Sequence, residues 1–422
     1  MLNNVNRRVL VVGIDQAVLS AGSFVITLLL IRLLEIEQFG KFVIFQSILM
    51  LMMAIHGALI ISPLSVSVPK MDKPEAIRYV SQLTFGQIAL NLLISLALVI
   101  IATLFKVFGF FLDYVNGIYL VSIASFFYLQ YLFFRSVLLA RIKVVLALIG
   151  DIVFVVVQLI LIYALYKNTL LTDFSAILII SMAALSAVLL KVFCLKEYFS
   201  RKKESVWFGL KSSFNQGRWL FGAAFIGWIR TNGINYVSLY FLGPLAPAVL
   251  KALQTLFGPI NMLLVGLESL VPQFLSMQLV QANGFEKFKK SFRLVTFLII
   301  FVTIIYCLLV SIGASHLVGY LYSADYIEYS GLVWVLALQY VLISSQTMIA
   351  IGLRCLELAK SIFKVSATEA IITLLPGLFL IAYWGIEGAV LWKLLSSLFV
   401  AVFSIYVFRK AYERNDTAGV KL

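Results

Sequence analysis

Trp219-Leu220-Phe221-Gly222-Ala223-Ala224-Phe225-Ile226-Gly227-Trp228-Ile229-Arg230-Thr231-Asn232-Gly233-Ile234-Asn235-Tyr236-Val237-Ser238-Leu239-Tyr240-Phe241 has the length of a bilayer crossing, and its single charge, Arg230, falls halfway along. A guanidinium at bilayer depth costs about 3 kcal/mol on insertion scales, so such a residue faces a wet cavity or a partner and not lipid. At helical spacing Ala223, Gly227 and Gly233 share the face of Arg230 and leave room for something bulky. Thr231, Asn232 and Asn235 add hydrogen-bonding groups beside it. The stretch reads as a membrane helix that turns one cation toward an aqueous site. The competing reading is an arginine paired to a buried carboxylate for helix packing alone.

Composition agrees with that reading of the whole chain. With 62% hydrophobic and only 12% charged residues over 422 positions, too little polar surface exists to cover a water-soluble fold of this size. The apolar runs are about 20 residues long and are separated by short polar or Gly/Pro breaks, a helical pattern, since barrel strands alternate in shorter pieces. The expected fold is all-α and integral to the membrane, with twelve transmembrane helices in two six-helix lobes about a central cleft. The helices are expected at about 9–33, 42–68, 81–105, 116–138, 144–166, 174–195, 218–241, 249–277, 292–313, 330–352, 364–384 and 388–408. The first run, Val9 to Leu33, carries Asp15 and Gln16 and is long for a signal peptide, so it reads as an uncleaved helix. The N-terminal lobe then spans 1–195, a basic amphipathic linker 196–217, the C-terminal lobe 218–408 and a tail 409–422. The linker contains Arg201-Lys202-Lys203 followed by Val206-Trp207-Phe208-Gly209-Leu210, a pattern suited to the membrane surface. Pro272 superposes on Pro63, and Leu242 on Leu33, when the second half is slid onto the first, which suggests parallel repeats.

Most of the 33 basic residues collect on one side if both termini and every even-to-odd loop face that side. Arg135 and Lys191 are counted there, and only Arg32, Lys41, Lys106, Lys167, Lys251 and Lys393 fall opposite. The positive-inside rule then puts both termini in the cytoplasm. It also accounts for the net charge of +14 as an orientation signal and excludes nucleic-acid binding as its cause. Cys194, Cys307 and Cys355 give neither a disulfide framework nor metal spacing, and no cofactor or metal site is expected.

Polar residues recur along single helix faces. Gln16 lies in the first helix with Gly13, Ser20, Ser23 and Thr27; Gln87 and Asn91 lie in the third with Thr84 and Ser95. In the eighth, Lys251, Gln254, Gly258, Asn261 and Glu268 share one face. A solvated lumen explains such faces better than lipid contact, so Arg230, Asn232, Asn235, Lys251, Gln254, Asn261, Gln16, Gln87 and Asn91 are the expected binding residues. Asp15 and Glu268, acidic groups within polar helices, and His56, able to titrate near neutrality, are the candidate ion carriers.

Two local motifs and the twelve-helix layout resemble a known family. Ile31-Arg32-Leu33-Leu34-Glu35-Ile36-Glu37-Gln38-Phe39-Gly40-Lys41-Phe42 is similar to the turn between helices 1 and 2 of the multidrug/oligosaccharidyl-lipid/polysaccharide exporters, and Leu139-Ala140-Arg141 is similar to their loop after helix 4. The corresponding turn in the second half, Gly243-Pro244-Leu245-Ala246-Pro247-Ala248, lacks the aromatic-glycine pair. Within that superfamily the pattern resembles the polysaccharide-type (O-antigen, Wzx-like) flippases. It implies a non-enzymatic carrier in a bacterial inner membrane, moving polyprenyl-pyrophosphate-linked oligosaccharide to the periplasmic leaflet for polysaccharide or lipopolysaccharide synthesis. Membrane lipids and a polysaccharide polymerase are the implied partners. An ion-coupled multidrug/cation antiporter of the same superfamily is the first alternative, although its lumen should be acidic. An integral-membrane polymerase or glycosyltransferase is the second; His316, Asp325 and Glu328 near one loop are the nearest approach to catalytic machinery, and ordinary loop polarity accounts for them.

Overall fold

The computed structural model describes residues 2–141, 143–195, 206–279, 284–356 and 359–417. Among the described residues nine helices are long and apolar enough to cross a membrane, ten if one bent pair forms a single span. The chain divides into two compact units, Met1–Trp228 and Ile229–Leu422.

The first unit holds α1 (Leu2–Leu33), α2 (Ile36–His56), α3 (Ser62–Ser67), α4 (Lys73–Phe108), α5 (Leu112–Ala140), α6 (Val144–Lys167) and α7 (Asp173–Cys194). A π turn, Gly57–Ile61, joins α2 to α3. Helix α5 is the hub, packed on α2, α4 and α7. Its residues Phe133, Phe134, Val137 and Leu138 meet Leu59, Ile60, Leu64, Val80 and Leu83 in a buried core. Local chemistry fixes the helix starts. Asp72 accepts a hydrogen bond from the Glu75 amide at the head of α4, and Thr172 with Ser175 forms a capping box at the head of α7.

Helix α8 runs Val206–Leu242, and the division between the units falls inside it. Of the expected 196–217 linker, the part from Val206 onward is helical and continuous with α8; residues 196–205 lie outside the described ones. Within the first unit α8 is anchored at the π turn, where the Ser213 hydroxyl donates to the Leu59 carbonyl at 2.5 Å, and at α2, where Trp228 Nε1 donates to the Ser47 carbonyl at 2.8 Å. A π turn shifts the backbone register and leaves carbonyls for such outside donors.

The second unit continues with α9 (Leu245–Thr255), α10 (Gly258–Leu279), α11 (Gly284–Ile312), α12 (Ala314–Leu321), α13 (Val333–Cys355) and α14 (Ala359–Thr417). Here α13 is the hub, packed on α10, α11 and α14. The span expected at 249–277 is broken: α9 and α10 meet at 65°. Pro259 explains the break, since it lacks an N–H and its ring clashes with the preceding turn. In a membrane the freed carbonyls need other donors. Tyr322 donates to the Ala252 carbonyl at 2.8 Å, Tyr306 to Leu256 at 2.7 Å and Thr255 to Lys251 at 2.7 Å. The helices expected at 364–384 and 388–408 are the two parts of α14, which is broken at Gly385 (φ 59, ψ −135) inside the expected gap. A side chain would be strained in that conformation.

Candidate functional site

Within the second unit lies a cavity of 410 Å³. Five helices contribute polar residues to it. From α8 come Arg230 and Thr231; from the end of α9, Gln254; from α10, Glu268; and from α13, Gln339, Tyr340, Gln346, Thr347 and Arg354. Helix α14 adds Lys393, Ser396, Ser397 and Ser404, spaced three, four and eleven residues from the lysine and so on one face. Three basic residues stand against one carboxylate in this lining.

The polar walls are held by hydrogen bonds. Gln339 Nε2 donates to the Ser397 hydroxyl at 3.2 Å, and Gln346 Nε2 to the Ser397 carbonyl at 2.6 Å, tying α13 to α14. Tyr340 stacks on Phe257 with ring centroids 4.5 Å apart and accepts from Asn261 Nδ2 at 3.1 Å. Glu268 and Arg354 pair loosely at 3.5 Å, and both are exposed. The surroundings are amide- and hydroxyl-rich with a positive bias, suited to an acidic group attached to a polar, hydroxylated body.

The sequence-expected residues distribute unevenly. Arg230, Gln254 and Glu268 line this cavity, and Asn261 supports it through Tyr340. Asn232 is buried, Asn235 is half-buried, and neither is in the lining. Lys251 is half-buried on α9 and is not in the lining. The eighth-helix face is split by the α9–α10 bend, so Lys251 and Glu268 belong to different helices. In the first unit Gln16 is exposed, whereas Gln87 and Asn91 are fully buried: Gln87 donates to Gln130 at 2.5 Å and accepts from Asn91 at 2.8 Å. His56 lies beside Gln87, fully buried at the entrance to the π turn, and neither ring nitrogen is hydrogen-bonded among the described residues.

Asp15 joins a constellation with Arg135 and Lys191, which the sequence reading counted among the charges of one membrane side. Arg135 bridges Asp15 (2.5 Å) and Asp151 (2.6 Å), while Lys191 (2.5 Å) and the Tyr131 hydroxyl (2.8 Å) donate to the other oxygen of Asp151. Arg135 and Lys191, counted above as cytoplasmic orientation charges, are therefore internal partners of two carboxylates. Lys191 and Asp151 are fully buried, and the lysine ammonium also sits 4.0 Å over the Tyr131 ring. Their spacing along four helices gives no local motif, so only the fold reveals the group. Lys393 and Arg354 were likewise placed on opposite surfaces by loop counting; the steps Gln339, Gln346 and Lys393, Ser397, Ser404 were the legible signal.

No family model matches the chain, and no curated protein matches it in sequence. Solved structures match in fold. A multidrug resistance MATE family transporter of the MOP superfamily, inward-facing, superposes at TM-score 0.74 with 13% identity and 96% of each chain covered. The lipid II flippase MurJ, in an inward closed conformation, superposes at 0.68 with 13% identity, over 96% of this chain and 89% of MurJ. A MOP superfamily transporter from Pyrococcus furiosus, for which reverse polarity of the binding pocket suggests a different function, superposes at 0.63 with 12% identity, over 96% and 95%. The chain thus has the MATE-like fold.

Proposed function

We propose that this protein is a flippase for an acidic, glycan-bearing lipid, and specifically that it moves polyprenyl-pyrophosphate-linked oligosaccharide from the cytoplasmic to the periplasmic leaflet by alternating access. The observation that carries the reading is the cavity of the second unit, where Arg230, Arg354 and Lys393 outnumber Glu268 amid amides and hydroxyls. Such a cargo has a diphosphate that cannot cross hydrocarbon bare, sugars that require hydrogen bonds and a tail that remains in lipid. Arginine meets phosphate oxygens bidentately, and Gln254, Gln339, Gln346 and the α14 serines offer partners to hydroxyls. The fold shared with MurJ supports a lipid cargo. In this reading both termini are cytoplasmic, following the positive-inside count.

Outward movement of a diphosphate is favoured by about 2.3 kcal/mol per uncompensated charge per 100 mV, interior negative. The cations of the cavity reduce that contribution by neutralising charge. Ion coupling is the other energy source, and Asp15, held by Arg135 with its second oxygen unbonded, and Glu268, exposed at the cavity wall, are its candidates.

A cation antiporter is the second reading, favoured by the likeness to MATE transporters. Deleting the gene and measuring lipid-linked oligosaccharide in the cytoplasmic leaflet separates the two. Rescue is expected to be full for wild type, partial for Arg230→Lys and small for Arg230→Ala. Equal rescue by all three removes Arg230 from head-group binding, and loss of cationic-dye export without oligosaccharide accumulation favours the antiporter.

A further inference from the structure

A polar group inside the first unit is left incomplete by its own hydrogen bonds. Asn91 Nδ2 donates to Gln87 Oε1 at 2.8 Å, and Gln87 Nε2 to Gln130 Oε1 at 2.5 Å, a chain running from α4 to α5. The chain orients both end amides, and each end keeps a buried atom without a partner among the described residues: an acceptor at Asn91 Oδ1 and a donor at Gln130 Nε2. His56 stands beside Gln87, fully buried, with both ring nitrogens also unpaired among the described residues. Packing places it there independently. Leu59 and Ile60, one turn on from His56, share a core with Leu83, one turn before Gln87, and with Phe133 and Phe134, one turn after Gln130. Buried polar atoms find partners in protein or in ordered water, so four orphans around one network point to a ligand.

The backbone beside this group is irregular. The Ser62 amide reaches back five residues to the Gly57 carbonyl, and Pro63, lacking an N–H, frees the Leu59 carbonyl that Ser213 of α8 takes up. A Cβ at Gly217 would stand 2.5 Å from the Ala58 carbonyl oxygen, so α8 meets the π turn backbone to backbone.

We propose that His56, Asn91 and Gln130 bind ordered water beside the π turn, making that turn a hydrated joint on which the first-unit part of α8 shifts. The balance of donors and acceptors selects water. Gln130 Nε2 and the N–H of a neutral imidazole donate, while Asn91 Oδ1 and the other imidazole nitrogen accept. A cation would find no carboxylate in this set, and an anion no ammonium or guanidinium. An apolar molecule would leave every one of these atoms unpaired, whereas water donates and accepts at once. Water also suits movement. Converting a π turn to an α turn shifts the backbone register by one residue and re-aims the side chains before it, and exchangeable water restores hydrogen bonds that fixed side chains would lose. Because Ser213 and Gly217 rest on Leu59 and Ala58, a register change there displaces α8 directly. This role holds whatever the cargo.

The test is radiolytic hydroxyl-radical labelling of the purified full-length protein in detergent, read by mass spectrometry. Water held inside a protein yields radicals where it sits, so a buried side chain next to it becomes labelled. His56 is expected to be labelled several-fold more than Phe39 and Phe45, which are equally buried on the same helix. Gln130→Met and Asn91→Leu each remove a ligand to the water at similar volume and should lower His56 labelling several-fold while Phe45 stays unlabelled. Equal labelling of His56 and Phe45 in wild type overturns the water site, as does undiminished His56 labelling in both variants. Should a variant loosen the core, seen as labelling of Phe45, the wild-type comparison still decides. Hydrogen exchange on the same wild-type sample tests the joint: amides 57–61 are expected to exchange faster than amides 42–52 of α2, and equal protection of the two stretches overturns it.

Discussion

Lys191 Nζ lies 2.5 Å from Asp151 Oδ1 with both side chains fully buried, and it reaches that position across Gly150. A Cβ at Gly150 would stand 2.2 Å from Lys191 Cε, so the missing side chain is what admits the lysine. Removing one member of a buried pair leaves the other charge uncompensated, at a cost of about 3–5 kcal/mol. Asp151→Asn, which strands Lys191 and one contact of Arg135, is expected to lower the thermal midpoint strongly. Gly150→Ala should act in the same direction by displacing the lysine stem. Melting in detergent checks both, and wild-type midpoints would show that the network contributes no net stability.

The α9–α10 bend depends on side chains that replace lost backbone partners. Tyr322→Phe removes the donor to the Ala252 carbonyl and should destabilise by about 1–3 kcal/mol, the cost of an unsatisfied buried acceptor. Tyr306→Phe, facing Leu256, should behave similarly. A melting comparison of the two variants with wild type reads the effect.

Glu268 is the one carboxylate in the described lining of the cavity, and its pair with Arg354 is exposed and long at 3.5 Å. Such a pair contributes about 0–1 kcal/mol, so Glu268→Gln should leave the melting midpoint almost unchanged. It should tighten pyrophosphate binding, because Arg354 is released and the opposing charge is gone. Calorimetry decides the sign: weaker binding would place Glu268 in support of the anion site and not against it.

The membrane class and helix succession were legible because apolar run length is a direct consequence of bilayer thickness. Arg230 was legible for the same reason, as a charge in an otherwise apolar run. Loop counting missed the internal roles of Arg135 and Lys191, because that rule treats every basic residue near a helix end as solvated. Their pairing with Asp15 and Asp151 depends on helices far apart in sequence. The Pro259 break was visible as a residue, but its consequence depends on Tyr306 and Tyr322, some fifty to seventy positions away, supplying the missing donors. Gln87 and Asn91 show the opposite limit: their helical spacing is real, yet the partner that determines their surroundings, Gln130, lies on α5.

Reconstitution provides the most direct measurement. Purified protein in liposomes carrying a fluorescent polyprenyl-pyrophosphate oligosaccharide is assayed for leaflet exchange by a reagent that reaches only the outer leaflet. Wild type is predicted to exchange the lipid, Arg230→Lys to do so more slowly and Arg230→Ala to approach the protein-free rate. Exchange at the protein-free rate by wild type, or equal exchange by all three proteins, would contradict the account.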